Sequence, residues 1–175
     1  MFYQLTLTKA MDVHPRHFGK NLSEIISARL IEEVEGTCHG KYGYVIAVTN
    51  MISKGQGVIK QDASGYAAFN VQYGCIVCRP FVGEVIDCIV TQVLQMGFFA
   101  MAGPVNVFVT SGMISEEYEY NTNGEPSFIS ADGSSRIAPR TLVRVRIVGS
   151  SSTPTELNCI ASMKDDYLGV IHEGM

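Results

Sequence analysis

No stretch of this 175-residue chain is apolar for the ~18–20 residues that a membrane-spanning helix requires. The opening residues, MFYQLTLTKAMD, lack the basic head and apolar core of a secretory signal, so an intracellular protein is expected. A strong excess of positive charge is also missing. The net charge is −4, and it is unevenly spread. Residues 1–80 carry eight Lys and Arg against six Asp and Glu, a net +2; residues 81–175 carry five against eleven, a net −6. A tight, backbone-driven nucleic-acid binder would be basic, so any RNA contact here is expected to be local and weak.

The catalytic and metal-binding constellations are missing as well. The five cysteines, Cys38, Cys75, Cys78, Cys88 and Cys159, are odd in number and fit no secreted disulfide framework. Cys75 and Cys78 form a C-x-x-C, but within a β-type run that sends them to opposite faces of a strand. No second C-x-x-C or Cys/His pair completes a zinc tetrahedron, so structural thiols, no metal and no cofactor are expected. His14, His17, His39 and His172 are scattered, with no acidic or histidine partner one helical turn away. G-x-S-x-G is absent. Gly36-Thr-Cys-His-Gly40-Lys41-Tyr42 superficially suggests a phosphate loop. It has one residue too few between its glycines, Tyr42 where Ser or Thr must meet magnesium, and a strand rather than a helix after it. Asp165-Asp166 reads as a solvated turn rather than acid–base machinery. The chain is therefore expected not to be an enzyme.

Hydrophobic residues make up 46% of the chain and charged residues 17%, enough apolar content for packed cores rather than disorder. FYQLTLT alternates as a strand, HPRHFGKN is broken by Pro15 and Gly19, and a helix is expected from Asn21. Glu24 stands where a capping box would place it. Leu22, Ile25, Ile26, Leu30 and Val34 form one apolar face, and Gly36 stops the helix. The cluster Glu32, Glu33 and Glu35 is poorly placed for the helix dipole. YGYVIAVTN, YAAFNVQY and CIVCRPF then read as strands, with GQGVIKQDASG as a polar, glycine-rich hairpin region between the first two. The first half is thus β-α-β-β-β, one sheet under one helix, and Arg79-Pro80 marks the boundary between domains 1–80 and 81–175.

The second half reads as five strands: FVGEVIDCIVTQVLQ, MGFFAMAG, VNVFVTSG, RTLVRVRIVGSS and ELNCIASMK. In the first, Val82, Val85 and Ile89 are expected to face the core if a bulge shifts the register. A long polar excursion with little core content, EYEYNTNGEPSFISADGSS, separates the third strand from the fourth. Five strands with that spacing match an OB-type barrel. Such barrels stack bases on aromatics of strands two and three and hold phosphates with nearby cations. Alternation puts Phe98 and Phe99 on opposite faces, one in the core and one as platform. Phe99, Phe108, Arg144, Arg146 and Lys164 are the candidate RNA-binding residues.

Several segments together resemble a known family. They are Met1-Phe2-Tyr3, HPRHFG from His14 to Gly19, VEGTCHGKYGYVIAVT from Val34 to Thr49, RPFVGEVID from Arg79 to Asp87, VTQVLQMGFFAMAGP from Val90 to Pro104, VRIVG from Val145 to Gly149, and MKDDYLGVI from Met163 to Ile171. They resemble the stalk-subunit family of eukaryotic RNA polymerase II, the seventh subunit, which has a counterpart in the archaeal RNA polymerase. The resemblance implies an α+β N-terminal truncated RNP-like domain followed by an all-β OB-fold (S1-type) barrel. It implies a heterodimer with the fourth-subunit stalk partner, docking on the polymerase core near the clamp and RNA exit, nascent single-stranded RNA as a weak ligand, no membrane association, and a nuclear location. By segment match, docking would use His14, Pro15, Arg16, Phe18 and Gly19 with the glycine-rich hairpin of Gly55, Gly57 and Gly65.

The sequence departs from the strongest S1 pattern in two places. Met96 stands where an aromatic usually precedes the strand-two glycine, and Thr110 where a histidine usually ends strand three. Cys78 stands where an aromatic or aliphatic residue is expected before Arg79-Pro80, and Glu116–Ser135 matches poorly. The alternatives are a paralogous stalk subunit of another nuclear polymerase, or a free-standing S1-domain RNA-binding protein. RPFVGEVID and KDDYLGVI favour the polymerase II form.

Overall fold

The computed structural model describes residues 1–62, 64–122 and 124–171; His172 lies outside them. The chain divides into two compact units, one of residues Phe2–Arg79 and one that begins at Pro80.

In the N-terminal unit, β1 (Phe2–Val13) leads through a short 3-10 turn (Pro15–His17) to α1 (Leu22–Val34). Then come β2 (Cys38–His39), β3 (Gly43–Lys54), β4 (Val58–Ile59) and β5 (Ala67–Cys78). β5 is the central strand. β1 runs antiparallel along one side of it, from Phe2 opposite Cys78 to Val13 opposite Ala67. β3 and then β4 occupy the other side, and β2 pairs with β3. α1 buries Ile26, Leu30 and Val34, one residue per turn, against Met11, Val13, Val71 and Cys75 of the sheet.

The helix ends differ in part from expectation. Asn21 is the N-cap, but its side chain makes no capping bond, so the capping box does not form. Gly36 does end the helix, at φ +74°, a conformation open to glycine. Two members of the acidic cluster have partners off the helix. Glu33 pairs with Lys9 at 2.9 Å, and Glu35 accepts a hydrogen bond from the backbone N–H of Val48 at 2.8 Å, on β3.

YAAFNVQY and CIVCRPF belong to one strand, not two. Gly74 is what made the sequence look broken there. Its missing side chain makes room instead: a Cβ would lie 2.7 Å from Thr49 Oγ1 and 2.8 Å from Asn50 Oδ1, both on β3. All five cysteines are buried. Burial raises the thiol pKa of Cys38, Cys75 and Cys88, Cys88 to about 12, which leaves these three as inert protonated thiols at neutral pH.

The C-terminal unit is a closed barrel. β6 (Val85–Leu94), β7 (Gly97–Ala102) and β8 (Val105–Thr110) form a meander, and β12 (Leu142–Ser152) and β13 (Leu157–Ser162) complete it. β12 pairs with β6, β13 pairs with β12, and β13 runs parallel to β8. That one parallel pairing, between strands three and five, is the OB-type closure. A two-residue strand at Gly169–Val170 adds to β12.

The buried face of β6 is the opposite of the expected one. Ile86, Cys88 and Val90 point inward, while Val82, Val85 and Ile89 are exposed. A bulge does occur, but between Val90 and Gln92, after which Val93 turns in. β6 is apolar at both parities, so alternation alone could not choose the face. The excursion also has more structure than its composition suggested. β9 (Tyr118–Asn121), β10 (Ser127–Ser130) and β11 (Arg136–Ile137) form an antiparallel sheet that buries Phe128 and Ile137.

Candidate nucleic-acid interface and docking turn

On the outer face of β7 and β8, Phe99 lies directly opposite Phe108, with ring centroids 4.6 Å apart and planes tilted by 39°. Phe98 is fully buried and Phe99 is 40% exposed, as the alternation of the strand requires. Ile160 of β13 stands opposite Phe108 and extends the apolar row. Gly97 permits the turn that presents this row. At φ +145°, a Cβ there would lie 2.1 Å from the Val109 carbonyl oxygen, so only glycine fits.

Arg144 and Arg146 project outward from β12, but not toward the aromatic pair. Arg144 donates from Nε to Asp87 Oδ1 at 2.7 Å and from Nη2 to Oδ2 at 2.9 Å, a two-pronged bridge to its neighbour on β6. Arg146 pairs with Asp165 at 2.9 Å. Asp87, Arg144 and Arg146, together with Asp166 and Tyr167, line a cleft that includes neither Phe99 nor Phe108. Lys164 is exposed and lies 3.8 Å from Glu116. The five candidate residues thus fall into an uncharged aromatic face and a cationic face whose arginines already hold carboxylates.

The hydrogen bonds from Arg144 hold the Asp87 carboxyl below the usual carboxylate range. A depressed folded-state pKa adds stability above the unfolded value of ~3.9, lost as pH falls through the folded one. Both side chains are nearly half exposed, so the contribution is small, below ~1 kcal/mol. A carboxyl NMR titration is expected to find Asp87 ionising below pH ~3.9, and Arg144→Ala is expected to return it toward that value.

In the N-terminal unit, the structure brings the HPRHFG turn against the end of the glycine-rich segment. His14 caps the 3-10 turn, its Nδ1 accepting from the Arg16 N–H at 3.1 Å, and its ring meets Tyr66 edge-on at 5.1 Å. Arg16 Nε donates to His17 Nε2 at 2.9 Å, which requires a neutral His17. Local desolvation and then the Arg16 charge lower the His17 pKa in the same sense. Gly65, at φ +72°, leaves room for the Pro15 ring: a Cβ would sit 3.3 Å from Pro15 Cγ. Lys60 pairs with Asp12.

Gly55 and Gly57, in contrast, do not belong to the turn. Gly55 donates its N–H to the Asn70 carbonyl at 2.8 Å, and a Gly57 Cβ would press into the Phe69 ring at 2.5 Å. They hold the irregular link from β3 to β4 close over β5, and after β4 the Lys60 N–H donates to the Tyr66 carbonyl at 2.8 Å. At this end of the sheet Phe18, Val58 and Ile59 are exposed, at 44%, 67% and 65%. Sequence reasoning passed over Val58 and Ile59 because two apolar residues inside a polar stretch give no periodicity to read.

The architecture defines a class: an α+β domain of the SHS2 type followed by an OB-like barrel. The family model described as "SHS2 domain found in N terminus of Rpb7p/Rpc25p/MJ0397" matches residues 9–65. Over nearly its whole length the chain is similar to several curated proteins. It is 43% identical over 173 residues to DNA-directed RNA polymerase II subunit RPB7 of Glycine max, covering 99% of this chain and 98% of that one. It is 45% identical over 174 residues to DNA-directed RNA polymerase II subunit rpb7 of Dictyostelium discoideum, covering 98% and 99%. A more distant relative, DNA-directed RNA polymerase V subunit 7 of Arabidopsis thaliana, is 32% identical over 133 residues, covering 75% and 74%. The chain belongs to the RPB7 family, the seventh subunits of RNA polymerase II.

Proposed function

We propose that this chain is a non-catalytic stalk subunit of nuclear RNA polymerase II. In this reading it pairs with the fourth-subunit partner and docks on the core near the clamp and RNA exit. Docking uses the turn of His14, Pro15, Arg16, Phe18 and Gly19, with Gly65 beside it and Gly55 and Gly57 behind it. The barrel touches nascent single-stranded RNA weakly, with Phe99 and Phe108 as its stacking surface and Arg144, Arg146 and Lys164 as a separate set of cations. Through these contacts the subunit acts in initiation and later steps.

The observation that carries this reading is the identity of more than two-fifths, spread over nearly the full length, to polymerase II subunits of a plant and an amoeba. The lower identity and shorter match to the polymerase V subunit favour polymerase II over that paralogue. The test is affinity purification of the tagged chain from nuclear extract, followed by mass spectrometry. The largest polymerase II subunits and a small stalk partner are expected at near-stoichiometric yield. Recovery of another polymerase, or of none, would overturn the assignment.

A further inference from the structure

After the last barrel strand the chain turns at Asp165–Leu168, where the Leu168 N–H donates to the Asp165 carbonyl at 3.3 Å. Tyr167 holds the third position of this turn at φ +67°, a left-handed conformation that turns normally give to glycine or asparagine. There the residue is 96% exposed. Of the eight tyrosines, Tyr3 is the one other that is exposed, at 44%, and the rest are buried or half-buried. A ring held out in this way packs against almost nothing in the barrel, and its phenolic hydroxyl is open to any visiting molecule.

Two features of the surroundings give that hydroxyl a chemistry. Asp165 and Asp166 directly precede it, and charge patterns beside an acceptor are one means by which kinases choose substrates. Tyr118 follows Glu116 and Glu117 in the same way but is half-buried in β9, so exposure separates the two tyrosines. The second feature is cationic. Tyr167 lines a cleft of about 490 Å³ together with Arg144 and Arg146. The backbone fixes this neighbourhood: Gly169, two residues on, pairs opposite Arg144, and Asp165, two residues back, meets Arg146 at 2.9 Å. Arg144 is held by both oxygens of Asp87, whereas Arg146 meets Asp165 through one, and the latter two side chains are 44% and 48% exposed. An exposed contact of that kind is weak and yields to a stronger anion that can accept from two guanidinium N–H groups at once.

We propose that Tyr167 is a phosphorylation site for a tyrosine kinase, and that the phosphate it gains takes Arg146 from Asp165. The Tyr167 hydroxyl oxygen attacks the γ-phosphorus of a nucleoside triphosphate. A new P–O bond forms as the bond to the β-phosphate oxygen breaks, the nucleoside diphosphate leaves, and the phenolic proton passes to the catalytic base of the kinase. The product carries about −1.5 to −2 charges and three acceptor oxygens at the rim of the cleft. Asp165 is released to water, and Arg146 is withdrawn from any other anion that reaches the cleft. The inference is independent of whether the barrel binds RNA.

The test takes the tagged full chain from cells treated with a tyrosine-phosphatase inhibitor. Trypsin cleavage after Lys164 frees the peptide that begins at Asp165, and mass spectrometry is expected to find phosphate on its Tyr167. With a recombinant tyrosine kinase and ATP, the purified full chain is expected to be phosphorylated on Tyr167 ahead of Tyr118, and Tyr167→Phe is expected to lose that incorporation. In a phosphorus NMR titration of the product, the phosphate is expected to ionise below the ordinary second pKa of ~6. Arg146→Ala is expected to return it toward that value, while Arg144→Ala leaves it depressed. Absence of phosphate on Tyr167 in the cellular protein, or a preference for Tyr118 in the purified one, overturns the site. A phosphate that titrates at ~6 in the unaltered chain, or one that only Arg144→Ala affects, overturns its capture by Arg146. An unphosphorylated Tyr167 whose replacement by alanine loses a co-purifying protein would assign the ring to an interface and overturn the proposal.

Discussion

Phe98→Ala is expected to destabilise the barrel by about 3–5 kcal/mol, while its neighbour Phe99→Ala costs less than about 1.5 kcal/mol. The contrast follows from one strand turning two identical side chains to opposite sides. Phe98 is fully buried and heads the largest side chains of the interior. Truncation there removes its own transfer energy and leaves a cavity in a closed barrel that has few ways to collapse. Phe99 sits on the outer face and loses mainly its contact with Phe108. Urea denaturation followed by circular dichroism gives the two midpoints. Similar shifts for both variants would show that the inward and outward faces of β7 are wrongly assigned. The same pair separates folding from function, because only Phe99→Ala is expected to alter oligonucleotide binding with the barrel intact.

β7 was legible as a short run bounded by glycines, and alternation set Phe98 and Phe99 on opposite faces, but with apolar residues at both parities it did not say which of the two is buried. The arginines of β12 were legible by alternation: Val143, Val145 and Ile147 are buried, so Arg144 and Arg146 must face out. What their heads touch was not legible. Asp87 meets Arg144 only through the register of β12 on β6, and Asp165 reaches Arg146 from a segment after the last barrel strand. A non-local pairing of 57 residues leaves no local signature. The hydrogen bond from Asn106 to Asn158 was hidden for the same reason. Asn106 and Asn158 are ordinary polar residues until the parallel pairing of β8 with β13 sets them side by side. β6 failed in the opposite direction, since apolar residues at both parities left the buried face undecided until the bulge after Val90 was located. The HPRHFG turn was visible as a motif, but the two glycines grouped with it lie along the strand edge, where Asn70 and Phe69 explain them.

That relocation sharpens the second large expectation. If the turn end of the N-terminal unit docks on a partner, its affinity must come largely from apolar area, because Lys60 is already paired with Asp12 and Arg16 donates to His17. The exposed apolar side chains there are Phe18, Val58 and Ile59. Val58 and Ile59 are held in place by pairing with Ala68 and Ala67, and Gly57 lets the chain pass over the Phe69 ring to reach that register. The double substitution Val58→Lys and Ile59→Lys keeps the backbone pairing and touches no buried side chain. Its effect on unfolding is therefore expected to stay within about 0.5 kcal/mol. Burying two ammonium groups in an interface built for aliphatic side chains costs far more, and a loss of at least 2 kcal/mol is the scale of an interface hot spot, roughly a 30-fold drop in affinity. Co-purification of polymerase subunits with the tagged double variant is expected to fall accordingly, while Lys20→Ala, just beyond the HPRHFG turn, changes little. Undiminished recovery with the double variant would move the docking surface away from β4, and unfolding of the variant in the same urea titration would show that β4 contributes to the core rather than to an interface.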